Sequence, residues 1–127
     1  MSKNKLTTEE QFLTLEQAKE LQELGVDFSG ANMFVFFDGR IISKNEAEFM
    51  TNTCNILNIA LPIILPTLSV AEMLEMLLDH ISVEHYFGKW YIDRAGMNIH
   101  YPYHNSQILL RDALFEMLRW LKQNKLI

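Results

Sequence analysis

Cysteine is nearly missing from this chain. Its one thiol, Cys54, cannot form an intramolecular disulfide, and there is no CxxC pair or Cys/His zinc spacing, so the sequence fits a reducing compartment. Glycine and proline are scarce, five and three in 127 residues, while aromatic residues make up 11%; this excludes a low-complexity or generally disordered chain. The most hydrophobic stretch, Ile56 to Leu65, is interrupted by Asn58 and Pro62 and falls far short of the roughly 20 residues that span a bilayer. The opening MSKNKLTTEEQF holds no apolar core of a secretory signal. The expectation is a soluble cytoplasmic protein with residues 1–12 as a disordered leader.

Positive charge is also in short supply. Eleven Lys and Arg stand against sixteen Asp and Glu, a net charge of −5 with a pI near 5.3, and no Lys or Arg occurs between Lys44 and Lys89. Such a chain repels phosphate backbones and anionic lipid, which disfavours nucleic acid and membrane as partners. Arg111, Arg119, Lys122 and Lys125 do gather near the C-terminal end, but cations there are expected from the helix dipole alone. Phosphate-binding loops are absent. Gly25 and Gly30 have the separation of a P-loop's glycines, yet Ala31-Asn32 stands where Lys and Ser or Thr are required, and no GxGxxG or GxSxG occurs.

What is present is the composition of one globular domain, with 49% apolar residues, expected to span residues 13–127. Thr14 with Gln17 three residues on forms a capping box, and Gly25 closes the helix they open. Met33 to Phe37, Asp38-Gly39 and Arg40 to Ser43 spell a β-hairpin whose first strand is apolar on both faces and wants cover on both sides. Residues 45–65 predict a short helix near Glu46 to Thr51 and then an extended segment. Ser69 and Glu72 cap a second helix running to His80, with Glu72, Glu75 and Asp79 on one thin stripe and apolar residues elsewhere. Aromatic residues dominate Val83 to Asp93, Asp93-Arg94-Ala95-Gly96 reads as a hairpin loop, and Met97 to His104 alternates like a half-buried strand. Asn105 or Ser106 would cap the last helix, ending near Gln123. The order α-β-β-α-β-β-α predicts an α+β fold: an antiparallel sheet of about four strands, built from two hairpins, packed with three helices.

Thr14 to Leu21 ending at Leu24-Gly25-Val26-Asp27, Pro66 to Leu74, the Tyr/Trp-rich hairpin and the closing helix through Ala113-Leu114 to Trp120-Leu121 resemble a group of small uncharacterised bacterial proteins associated with phages and prophages. The resemblance covers most of the chain from Thr14 on. It implies a cytoplasmic protein of bacteria or their mobile elements, and it transfers no activity and no active-site residues.

Candidate chemistry is sparse. His100 and His104 have an HxxxH spacing, but on a strand four residues span about 13 Å, too far for two imidazoles to converge easily on one ion. His80 and His85, with Asp79 and Glu84 near, could act as acid and base, although a histidine in a helix's last turn is also what the dipole favours. Cys54 sits among apolar residues and asparagines and reads as an inert thiol. Tyr86, Phe87, Trp90, Tyr91, Tyr101 and Tyr103 could stack bases, yet only Lys89 and Arg94 accompany them. No cofactor, metal site or catalytic set is expected. The excess hydrophobicity of the second and last helices remains, with Met73, Met76, Leu77, Met117 and Trp120 as interaction candidates. They predict an accessory protein that acts by protein contact and self-associates as a homodimer, which needs on the order of 800 Å² per partner. The competing expectation is a small enzyme or ligand-binding domain with a pocket around Tyr86, Trp90, His100 and His104.

Overall fold

A computed structural model describes residues 7–77, 79–94 and 104–127. Thr14 opens helix α1 (Leu15–Glu23): its hydroxyl accepts the Gln17 N–H at 3.1 Å, and the Gln17 side chain accepts the Thr14 N–H at 3.0 Å. Gly25 follows with φ +95°, and the Val26 and Gly25 amides close back on the Leu21 and Gln22 carbonyls. Strands β1 (Met33–Phe36) and β2 (Ile41–Ser43) form the expected hairpin. Gly39 sits at φ +93° between a Gly39 to Phe36 turn bond and a Phe36 to Arg40 ladder bond, the geometry of a loop with glycine in its left-handed position. Helix α3 (Val70–Leu77) starts from the expected Ser69 and Glu72 box, with both bonds near 3 Å.

The architecture is α+β, but the strand and helix counts depart from expectation. Among the described residues, four α-helices accompany two antiparallel sheets of three strands each, and in the first of them β1 lies between β2 and a third strand. The third strand of the first sheet, β3 (Ile64–Thr67), pairs along the free side of β1, Val35 opposite Leu65 and Phe34 opposite Pro66. A proline is tolerated there because β3 is an edge strand. The fourth helix, α2 (Lys44–Leu57), is far longer than the short helix expected near Glu46 to Thr51. Ser43 and Glu46 form a third capping box, and Asn58, at φ +55°, terminates the helix in the left-handed conformation that asparagine tolerates.

Alternation along β1 divides the interior. Val35, with Ile41 and Leu65 beside it, joins the main core, where Leu21, Met73, Leu77, Ile92, Leu114, Met117, Leu118 and Leu121 are fully buried. Phe34 and Phe36 lie on the other face, in a smaller cluster with Ile42, Ala47, Met50 and Ile64. The strand apolar on both faces is thus covered on both, by α2 on the second.

The second sheet reverses earlier than expected. Strands β4 (Ile81–Tyr86) and β5 (Lys89–Arg94) meet at a two-residue turn, Phe87-Gly88, both residues at positive φ as a type I′ hairpin turn requires. Asp93 and Arg94 therefore belong to β5 and not to a loop, while Ala95, Gly96 and the strand expected over 97–104 lie outside the described residues up to His104. Strand β6 (His104–Gln107) takes in Asn105 and Ser106, so neither caps the last helix; α4 (Leu110–Gln123) begins after Leu109 without a side-chain cap. Packing holds α4 in place of a cap, through a stripe of buried residues from Leu110 to Leu121 set against β5, β6, α3 and α1. Helix α3 ends at Leu77, short of His80, because the chain turns back through a His80 to Leu77 bond into β4.

Side chains from α4 fasten α1 and the preceding segment. Asp112 accepts from the Gln17 amide at 2.8 Å, Arg119 reaches Glu20 at 3.2 Å and also pairs with Glu116, and Arg111 donates to the Glu9 carbonyl at 3.1 Å. Burial alone would lower the Arg119 pKa; Glu116 and Glu20 outweigh it and hold the guanidinium above its ordinary value. Within the segment expected as a leader, Glu9–Gln11 form a 3-10 turn and Phe12 bridges Ser69. Residues 1–6 lie outside the described part. Among the described residues no helix is long and apolar enough to cross a membrane.

The one buried polar side chain among the described residues, Thr67, donates to the Leu13 carbonyl at 2.9 Å while the Leu13 N–H donates to Leu68. Thr67→Val keeps the shape and leaves that carbonyl without its hydroxyl donor, so it should cost about 1–3 kcal/mol in the urea unfolding midpoint.

Candidate interaction surface

The interaction candidates on α3 and α4 prove to be mostly interior. Met73, Leu77 and Met117 are fully buried, and Trp120 is half-buried against the main core. Only Met76 stands out, 40% exposed, where it edges a shallow hollow beside Gly25, His80 and Lys122. The apolar circumference of α3 is explained by its place between α4 and the rest of the core, so those faces are satisfied within the chain.

Of the competing pocket's residues, Tyr86, Trp90 and His104 fall on strands of the second sheet. Trp90 stacks on His85, ring centroids 4.2 Å apart and planes at 17°, on the register positions that also carry buried Ile92. The backbone register places position 104 opposite Asp93 and position 86 opposite Lys89, and these alternate with the His85/Trp90 positions. His100 lies outside the described residues. His80, half-buried at the end of α3, and exposed His85 join no acidic group of ligand geometry; among the described residues no set of three His, Cys, Asp or Glu side chains could hold a metal ion.

The unsatisfied apolar surface lies elsewhere, on α2 and the segment that follows it. Ala47, Met50, Thr51 and Cys54, at helical spacing i, i+3, i+4 and i+7, turn toward the sheet, and of α2's residues Ala47 alone is buried. Phe49 and Ile56, two turns apart on the other side, are 70% and 83% exposed. Beyond Leu57, the Asn58 reversal and an Ile59 to Cys54 bond of 3.0 Å send the chain back toward β3. Leu57, Ile59, Leu61 and Ile63 are each more than half exposed along this return. Six large apolar side chains in fifteen consecutive residues thus meet water, where a monomer ordinarily scatters such groups singly.

The surroundings sharpen the contrast. No Asp, Glu, Lys, Arg or His occurs from Phe49 to Ala71, so the polar groups on this face are Thr and Asn alone. Charge begins only at the rim, with exposed Lys44, Glu46 and Glu48 in the first turns of α2. Across the hairpin, Arg40 pairs with Asp38 at 2.8 Å and lies over the Phe36 ring at 5.0 Å, beside exposed Phe37. Desolvation pushes the Asp38 carboxyl up, but the Arg40 N–H and guanidinium outweigh it, and its pKa falls below the ordinary value. Two shallow depressions follow α2: one of about 370 Å³ between the helix and Phe34 and Ile64, the other of about 560 Å³ beside Phe49 and Met50. Both are open troughs suited to side chains of a macromolecule rather than to an enclosed small ligand.

Sequence reasoning passed over this surface. Its signal was the charge-free run itself, which reads as interior because uncharged apolar segments usually are. Compared with known families, curated proteins and solved structures, the chain matches no family model, no curated protein and no solved fold.

A separate exposed aromatic marks the tip of the second hairpin. Phe87 is 92% exposed and holds φ +54°, a conformation that costs a bulky L-residue about 1–2 kcal/mol and that asparagine tolerates. Phe87→Asn should therefore raise global stability by roughly 1 kcal/mol, read as an upward shift of the denaturant midpoint. The contrast between core and surface gives a second measurement. Met117→Ala should cost about 2–5 kcal/mol by removing buried volume, whereas exposed Lys19→Gln on α1 should stay within about 0.5 kcal/mol of the parent.

Proposed function

We infer that this chain is a non-enzymatic accessory protein that works by protein contact, and that its docking surface is the outer face of α2 continued through Leu57 to Ile63. The observation that supports this most is the run of exposed Phe49, Ile56, Leu57, Ile59, Leu61 and Ile63 with no charged residue between them. Apolar groups held in water at this density stabilise nothing in the isolated chain; covered, each contributes about 1–2 kcal/mol, depending on how far it is buried. Aromatic and aliphatic anchors with an uncharged centre and a charged rim are the composition of a protein interface core. The phage or prophage setting implied by the sequence resemblance, and a place of action in the cytoplasm, belong to this proposal.

A photo-crosslinking residue placed at Ile59 in the cell tests it, with the same residue at exposed Glu23 on α1 as the control. Adducts of discrete protein mass are expected from position 59 and not from position 23. No adduct at 59, or the same adducts from both positions, would overturn the assignment of this face.

A further inference from the structure

We propose that the occupant of this face is a second copy of the same chain, docked about a two-fold axis so that the two α2 helices run antiparallel, Phe49 of each against Ile56 of the other. The inference rests on the reading of the face as a docking surface and adds the identity of its partner. Its first ground is spacing. Asn45, Phe49, Asn52 and Ile56 are all exposed, and their separations of four, three and four residues are those of a helix–helix seam. On a helix about 21 Å long, that stripe runs nearly the full length of α2.

The second ground is the kind of polar group on the face. In a two-fold contact every group meets the same surface it belongs to, so a carboxylate or ammonium near the axis would face its own charge. Between Phe49 and Ile63 there is no ionisable group other than the half-buried Cys54 thiol; Thr51 turns toward the sheet and donates to the Ala47 carbonyl, which leaves Asn52, Thr53, Asn55 and Asn58 as the polar side chains. Each hydroxyl or amide is both donor and acceptor, so it satisfies a copy of itself. A chain of net charge −5 is repelled by its own kind over most of its surface. The charge-free face is where two copies can approach.

Direction follows from the rim. In a parallel pair the exposed Glu46 and Glu48 of one copy would lie beside those of the other. Reversing one helix brings them next to the uncharged end of its mate near Leu57 to Ala60, and pairing Phe49 with Ile56 then sets Asn52 beside the axis, amide to amide. Area is sufficient as well. The six exposed apolar side chains offer on the order of 500 Å², most of the ~800 Å² per partner of a standard interface, and the amides and flanking backbone supply the remainder.

Sedimentation equilibrium of the full chain over micromolar concentrations, combined with single-cysteine trapping in a Cys54→Ala background, tests the pairing. The parent should sediment as a dimer, and Phe49→Lys should weaken association by roughly thirtyfold or more with an unchanged far-UV spectrum. Asn52→Cys should form an intermolecular disulfide on mild oxidation, while exposed Glu75→Cys on α3 should not. A strict monomer, a dimer indifferent to Phe49→Lys, or equal trapping at positions 52 and 75 would overturn the proposal. If position 59 nevertheless crosslinks to a different protein, the face binds and only the second copy is refuted; if nothing crosslinks, both fall together.

Discussion

Strand β1 carries apolar side chains on both of its faces, and a strand of that kind is stable only where both are covered. Val35 enters the main core with α3 and α4, and Phe34 and Phe36 enter the smaller cluster on the reverse. The second layer is α2, which reaches the sheet with one small buried residue, Ala47, and a margin of half-buried Met50, Thr51 and Cys54. A helix seated on so narrow a stripe has its remaining circumference in water. Because Phe49, Ile56 and Leu57 lie on that remainder, the covering of one apolar surface creates another further out.

Local rules explain most of the fold. The Thr14, Ser69 and Asp38-Gly39 signals each act within three or four residues, so neighbouring sequence contains the whole of the physics, and the structure realises all three. The same box at Ser43 and Glu46 was obscured because Ser43 is also the last residue of β2, and because Asn52, Asn55 and Asn58 suggest breaks where only Asn58 makes one. Strand β3 was legible only as an extended segment. Its pairing with β1 joins residues some thirty positions apart, and no local pattern encodes a long-range partner. The turn at Phe87-Gly88 was masked by its first residue, an aromatic where asparagine or glycine is usual. A related limit applies to α3: its excess apolarity is real, but α4 covers much of it, and only packing distinguishes a covered apolar face from an open one.

Charge in the last helix serves the assembly of the fold. Arg111 joins Asp112 and the Glu9 carbonyl, and Arg119 joins Glu20 and Glu116. Pairs as exposed as these contribute little singly. As a group, with the Gln17 to Asp112 bond, they fix how α1 crosses α4 and so position the Leu13 carbonyl that Thr67 caps. The acidic balance elsewhere includes the solvent-facing side of α1, the start of α2, and Glu75 and Asp79 on and just after α3.

The shallow seat of α2 has a dynamic consequence. Detaching it from the sheet uncovers Phe36, Ile42 and the Phe34 side of β1, yet leaves the cluster around Met117 and Leu118 closed. Such an opening exposes only the smaller cluster, less buried surface than global unfolding exposes. The α2 amides would exchange with solvent through that partial opening, faster than those of α4, so the same chain holds a fixed body and an element whose persistence depends on what lies against it.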